Sequence, residues 1–413
     1  MKKIVSLSLI AALLLALNAC GGSSLTAVPT SSGVVSTSQT PTDVIKIGVF
    51  EPASGENAAS GKQETLGIQY ANSLVNTVNI GGKEYPVKLV IVDNQSSIIK
   101  GPLAAEALVR LGVPIVIGSY GSAVTIAASD VFSKAEIPVL CATCTNPQVT
   151  LGNTHHYTLT YLDPFQGAVL ADFATNGLKA KTAYCLAKLG DNYSVDLCYY
   201  FRKQFEALGG KVIYWTFHEG TTDFRPYLNT AKNSGADVFF APVSIPLAER
   251  IIDQADAQNF TIPLLAGDSW DSKAVLNAAK DTNLDIYVTT FFDENIIKDK
   301  DSEFVKGFKK WIKSSSTNLK NNGGDDTISA VSVMGYDAYF TALEAIKAAG
   351  SIDPKAINEA LLKVQHEGVS GPIIFDKNGN AIRNVAFIKK VNTETGEWEI
   401  VAETEHSPVN KLS

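Results

Sequence analysis

Two cysteines three positions apart, Cys141 and Cys144 in VLCATCTNP (139–147), have types and spacing fit for chemistry. Such a pair serves as a redox couple, as half of a zinc site, or as two small residues filling a loop. A reactive pair usually places its first cysteine at a helix N-terminus, where the dipole lowers the thiol pKa. Cys141 instead ends an apolar run, and Thr145-Asn146-Pro147 continues as loop. Zinc requires further ligands, and no second CxxC follows. Cys185 and Cys198 suit either a disulfide or buried thiols, and His155-His156 places two rings on opposite sides of a strand. HExxH, GxSxG and a Gly-rich phosphate loop with its lysine are all absent. The residues therefore point to a non-enzymatic chain with no cofactor and no metal, a thiol-redox protein built on Cys141 and Cys144 being the remote alternative.

Other polar residues cluster where apolar runs stop. VPIVIG (113–118) leads into Ser119-Tyr120-Gly121-Ser122 and a helical stretch. Ser122 there either caps its own helix or offers hydroxyl and N–H groups to an anion, assisted by the helix dipole. IPVLC (137–141) leads into Ala142-Thr143-Cys144-Thr145. Later runs lead into Gly190-Asp191-Asn192-Tyr193 and Gly267-Asp268-Ser269-Trp270. One group supplies hydroxyls and N–H groups, the other an aromatic and a carboxylate. Together they suit a zwitterion, with its anionic end at the start of the Ser122 helix and its cationic end at Asp268.

The elements that must position these residues repeat. VIKIGVF (44–50), VKLVIVD (87–93), VPIVIG and IPVLC alternate with helical stretches at 64–78, 101–111 and 122–134. Near-continuous Val/Ile runs joined by helices make a parallel sheet covered on both faces. The pattern restarts at TAYCLAKL (182–189) and continues through KVIYWTF (211–217), DVFFAP (237–242), PLLAG (263–267) and DIYVTTF (285–291). The fold class expected is α/β, with two doubly wound Rossmann-like lobes. Helical stretches at 301–314, 330–349 and 354–364 follow, and then PIIFD, NVAFIKKV and EWEIVAE read as antiparallel strands. The chain therefore crosses between lobes more than once, forming a hinge and a cleft. The divisions expected are 43–162 plus 291–368 for lobe 1, and 163–290 plus 369–413 for lobe 2. Ligands of such sheets lie beyond the carboxyl ends of the strands, where the polar clusters fall.

The ends and composition place this body in a compartment. The chain has 413 residues and a net charge of −7, with no basic block, which argues against nucleic acid. Its N-terminus, MKKIVSLSLIAALLLALNAC, has two lysines and then an apolar run too short to span a bilayer. Residues 1–19 are expected to be a signal peptide, and the Leu-x-Ala-Cys ending resembles the lipobox of bacterial lipoproteins, with Cys20 the lipidated residue. An ordinary signal cleavage with Cys20 incidental is the alternative. Residues 20–42 are rich in Gly, Ser, Thr and Pro and read as a flexible tether. The body that follows is too long for one typical core and belongs outside the cytoplasm, anchored by lipid alone.

From Val44 to about Ala402 the chain resembles the type 1 extracytoplasmic solute-binding proteins of ABC importers, in the branched-chain amino-acid family. The resemblance rests on IKIGVFEPASGENAASG, VIGSYGSAVTIAASDVF, IPVLCATCTNP, LGDNYSVD, AGDSWDS and GPIIFDKNGN, in order and at matching spacing. It implies that Ser122 and Thr145 hold the ligand carboxylate and part of the ammonium, with Thr143 contributing its backbone. It also implies that Tyr193 closes over the ligand and that Asp268, a glutamate in several relatives, pairs with the ammonium. Relatives often carry aromatics at the positions of Ser60 and Ser244, so the side-chain pocket is expected to be larger or wetter unless Trp270 or Phe292 fills it. The partners implied are an amino acid and the permease and ATPase subunits of an importer, with the chain a monomer. A ligand sensor read by a signalling partner is the alternative.

Overall fold

The computed structural model describes residues 44–295 and 302–405. The expected signal peptide, the tether and Cys20 lie outside the described residues. Among the described residues no helix is long and apolar enough to cross a membrane.

The first sheet contains β1 (Ile45–Glu51), β2 (Thr77–Ile80), β3 (Lys83–Asp93), β4 (Ile115–Ile117), β5 (Val139–Cys141) and β6 (His156–Thr158). Their spatial order is β2-β3-β1-β4-β5-β6, parallel except for the β2–β3 hairpin. The second begins with β7 (Thr182–Lys188), β8 (Lys211–Phe217), β9 (Val238–Phe240), β10 (Leu264–Ala266) and β11 (Ile286–Thr290). A separate hairpin, β12 (Gln365–Gly368) with β13 (Gly371–Ile374), comes next. Then β14 (Val385–Asn392) and β15 (Glu397–Glu405) add to the second sheet, whose order is β15-β14-β11-β10-β9-β7-β8. Both sheets are covered on two faces, and successive residues of a strand enter opposite cores. Ile47 and Val49 pack with the helices Ala58–Leu74 and Ala330–Ala349, while Phe50 and Val116 pack with Gly101–Arg110 and Ser122–Lys134. In the second lobe Tyr184 and Leu186 enter one core and Cys185 and Ala187 the other.

After β11 the chain returns to the first lobe. Phe304, Phe308 and Ile312 bury against Leu66 and Tyr70. The helix Ala330–Ala349 then lies so close to Ala58–Leu74 that a Cβ on Gly67 would stand 1.8 Å from the Ser332 carbonyl oxygen. One expectation needs correction. Residues 369–381 pack with the first lobe and not the second. Ile373, Phe375 and Ala381 belong to its core, the Phe375 ring stands against Tyr157, and Asn380 bridges to Thr158. Asp337 anchors the stretch by accepting hydrogen bonds from Val369 N and Ser370 N, both at 2.8 Å. The final crossing therefore falls between Ala381 and β14, after the turn at 377–380 rather than before it.

Candidate functional site

A cavity of about 650 Å³ lies between the carboxyl edges of the two sheets. Loops after β1, β3, β4 and β5 form one wall, and loops after β7, β8, β9 and β10 the other. Ser122, Thr143, Thr145, Tyr193, Asp268 and Ser244 all line it.

Ser122 is the first residue of the helix Ser122–Lys134, whose cap position is Gly121, so its hydroxyl does not cap that helix. It accepts a hydrogen bond from Asn146 N at 3.3 Å, which ties the β4 loop to the β5 loop. Thr143 lines the cavity and donates its hydroxyl to Glu64 Oε2 at 2.6 Å. Thr145 lies beside it, its carbonyl held by Asp163 N at 2.7 Å. From the opposite wall the Tyr193 hydroxyl donates to Asp268 Oδ1 at 3.0 Å, and Gln166 Nε2 donates to the same oxygen at 2.8 Å. Asp268 N in turn donates to Gln166 Oε1 at 3.1 Å, so Gln166 clamps Asp268 from both ends. Gln166 is absent from the sequence-based set, although a buried glutamine one turn into an apolar helix was a readable signal.

Three other candidates do not line the cavity. Trp270 is fully buried in the second lobe, and its Nε1 donates to the Val243 carbonyl at 3.1 Å. Phe292 packs against the Leu66 and Tyr70 cluster of the first lobe. Ser60 is buried and hydrogen-bonds to the Tyr120 side chain, and Tyr120 itself lines the cavity. Cys141 and Cys144 are joined in a disulfide, pack with Val149 behind the wall and face the Thr125 hydroxyl. Cys185 and Cys198 are free thiols, buried side by side. Among the described residues no group of three or more His, Cys, Asp or Glu side chains is placed to hold a metal ion.

The electrostatics are set by buried acids. Burial pushes Asp268 up to about 7, against the lowering hydrogen bond from Tyr193. Behind Thr143, Glu51 and Glu64 are buried against each other, and burial raises both carboxyls. Glu51 also accepts Tyr120 N at 2.7 Å, so this pair braces both the β4 and β5 loops. Because these folded-state values lie above the unfolded carboxyl range of about 4, the folded chain binds the extra protons between about pH 4 and 7. The stability these three carboxyls contribute is then highest on the acid side of that window and declines as pH rises through it. His156, lowered to about 3 by burial, works the other way. The unfolding temperature without ligand is expected to fall between pH 5 and pH 8; a rise over that range would contradict the assignment.

A family model described as periplasmic binding protein matches residues 44–396. This chain belongs to the periplasmic binding protein family. It is a binding protein rather than an enzyme, in a family whose members bind small molecules and work with ABC transporter permeases. The Leu/Ile/Val-binding protein homolog 1 of Brucella abortus (strain 2308) is 27% identical over 343 residues, covering 81% of this chain and 87% of that one. A solved leucine-binding protein from Thermotoga maritima shares 30% identity with a TM-score of 0.78, covering 87% of this chain and 99% of that structure. A solute-binding protein of R. palustris solved with benzoate has a TM-score of 0.76 at 20% identity, a likeness of fold alone.

Beyond the expected set, this periplasmic binding protein places an ion pair across the cleft. Lys188, at the end of β7, meets Glu56 of the β1 loop at 2.5 Å and Glu219 of its own lobe at 2.7 Å. Ser244 donates to the other oxygen of Glu56. A second lobe-to-lobe contact runs from Asn146 Nδ2 to Asp196 Oδ2 at 2.9 Å and from Gln148 Nε2 to the same oxygen at 2.7 Å. Lys188 and Glu56 stand in quoted strand-end stretches, but nothing in a linear pattern pairs residues so far apart.

Proposed function

We propose that this chain is the extracytoplasmic, lipid-anchored substrate-binding protein of an ABC importer and takes an α-amino acid in its interlobe cleft. The observation that carries the reading is the convergence of Ser122 and Thr145 from one lobe with Tyr193 and Asp268 from the other on one cavity. The β4 and β5 loops offer hydroxyls, main-chain N–H groups and the start of a helix, which suit a carboxylate. Asp268 offers a carboxylate to an ammonium. A carboxylate ligand without an amine leaves Asp268 unpaired, so benzoate is disfavoured. The lobe-to-lobe bonds of Lys188 and Asn146 hold the closed form, and the segments that cross between the lobes allow opening for release to the permease. Cys20 supplies the anchor.

The test is a thermal-shift screen of the full chain against single amino acids and benzoate. A ligand that binds only the folded state stabilises it by about 2.7 kcal/mol at a hundredfold excess over its dissociation constant. At least one amino acid is expected to raise the unfolding temperature and benzoate to leave it unchanged. A shift with benzoate and with no amino acid would overturn the reading.

A further inference from the structure

The two sheet edges run side by side along the cavity, so strand order gives the position of each wall residue along it. In the first lobe Thr145 follows β5, Ser122 follows β4 and Glu56 follows β1, and these strands are consecutive neighbours. In the second lobe Asp268 follows β10, Ser244 follows β9, Lys188 ends β7 and Glu219 follows β8, again consecutive neighbours. Neighbouring strands lie about 4.8 Å apart, so Lys188 stands roughly 10 Å along the edge from Asp268. An amino acid whose charged groups sit at Ser122, Thr145 and Asp268 therefore directs its side chain toward Glu56, Ser244 and Lys188.

That end of the cavity is polar and partly buried. The Lys188 and Glu56 side chains are only 12% and 28% exposed. Of the aliphatic lining, Ile98, Ile99 and Leu189 are 52%, 79% and 50% exposed and belong to the rim, while the buried Val124 lies on the Ser122 helix and not at the Lys188 end. A branched aliphatic side chain at this end would desolvate the ion pair and return no hydrogen bond. The spare bonding capacity is specific. An ammonium has three N–H donors, and Lys188 commits two of them to Glu56 and Glu219. Each carboxylate oxygen has two lone pairs, and each Glu56 oxygen has one partner, Ser244 or Lys188. One donor and several lone pairs therefore remain side by side, which matches the C=O and NH₂ of a carboxamide. A second carboxylate on the ligand would meet a wall that already carries Glu56, Asp191, Glu219 and Asp268 against the single lysine.

Resting on the amino-acid reading above, we infer that the ligand's side chain ends in a carboxamide, as in glutamine, held by Lys188 and Glu56. Titration calorimetry of the full chain with glutamine, leucine, glutamate and lysine tests this. A site built to hydrogen-bond a substrate group discriminates strongly against analogues that lack it, so glutamine is expected to bind at least about 100-fold more tightly than leucine. Leucine, glutamate or lysine binding as well as glutamine or better would overturn the inference and leave the amino-acid reading standing. No binding of any of the four, together with no shift from any amino acid in the thermal screen, would overturn both. As a second arm, Lys188→Met, checked for an unchanged fold by circular dichroism, is expected to lose at least about tenfold more affinity for glutamine than for leucine, whose smaller loss reports the closure bond to Glu56 alone. Equal losses for both ligands would mean that Lys188 acts only in closure, against the inference.

Discussion

Asp268→Ala is expected to weaken amino-acid binding by at least about 100-fold. Removing one partner of a buried charge pair costs about 3–5 kcal/mol, because the other charge keeps its burial and loses its compensation. In this cleft the orphan would be the ligand ammonium, facing Tyr193 and Gln166, which bond to Asp268 Oδ1 at 3.0 and 2.8 Å. Asp268→Asn separates charge from shape, since an amide still accepts those two bonds. Titration calorimetry should show nearly the same loss for both variants, with the unfolding temperature of each near that of the parent. Wild-type affinity in Asp268→Asn would show that the ligand is not held by charge there.

The second large effect concerns stability rather than binding. Lys389 on β14 reaches Asp271 Oδ2 at 3.0 Å and Asp293 Oδ2 at 2.9 Å, with all three side chains less than a tenth exposed. Asp271 follows β10, and Asp293 lies just after β11 where the chain leaves the second lobe. The lysine thus fastens the returning strand to the segment that crosses between lobes. Lys389→Met keeps much of the aliphatic volume but leaves two adjacent buried carboxylates without a cation. A loss of about 3–5 kcal/mol is expected in denaturant unfolding at neutral pH. A loss below about 1 kcal/mol would mean that the triad contributes little.

Much of this architecture was legible because burial on both faces of a parallel sheet leaves a direct record. Runs such as VIKIGVF and TAYCLAK are apolar at every other residue on both faces, and each became a strand with two cores. The hairpin of β2 and β3 was less legible, since a helix was expected to run through residue 78. The helix ends at Leu74, and Gly81-Gly82 turn the chain with φ of 61° and 87°, which the Gly-Gly pair was able to signal. The late crossing was hidden because the packing of Phe375 on Tyr157 is a contact between distant segments.

At the site, the rule that ligands lie beyond strand ends collected Ser122, Thr143, Thr145, Tyr193 and Asp268 on one cavity. It failed for Trp270 and Phe292. Trp270 sits two residues after Asp268, yet its ring turns into the lobe, where the Val243 carbonyl satisfies its N–H. Side-chain direction in a short turn depends on which partner is within reach, and sequence spacing does not record that. The Lys188–Glu56 pair was missed for the same reason, because each residue alone reads as an ordinary surface charge. In VLCATCTNP, where two cysteines suggested chemistry, the sulfurs pack behind the wall and the threonines line the cavity.

The central claim is that the cleft holds an amino acid by its two charged ends. It is tested most directly by a crystal structure of the protein with the amino acid that gives the largest thermal shift. The account predicts the ligand ammonium about 3 Å from the Asp268 carboxylate and its carboxylate at the start of the Ser122 helix beside Thr145. A ligand bound outside this cavity, or reversed with its carboxylate toward Asp268, would contradict it.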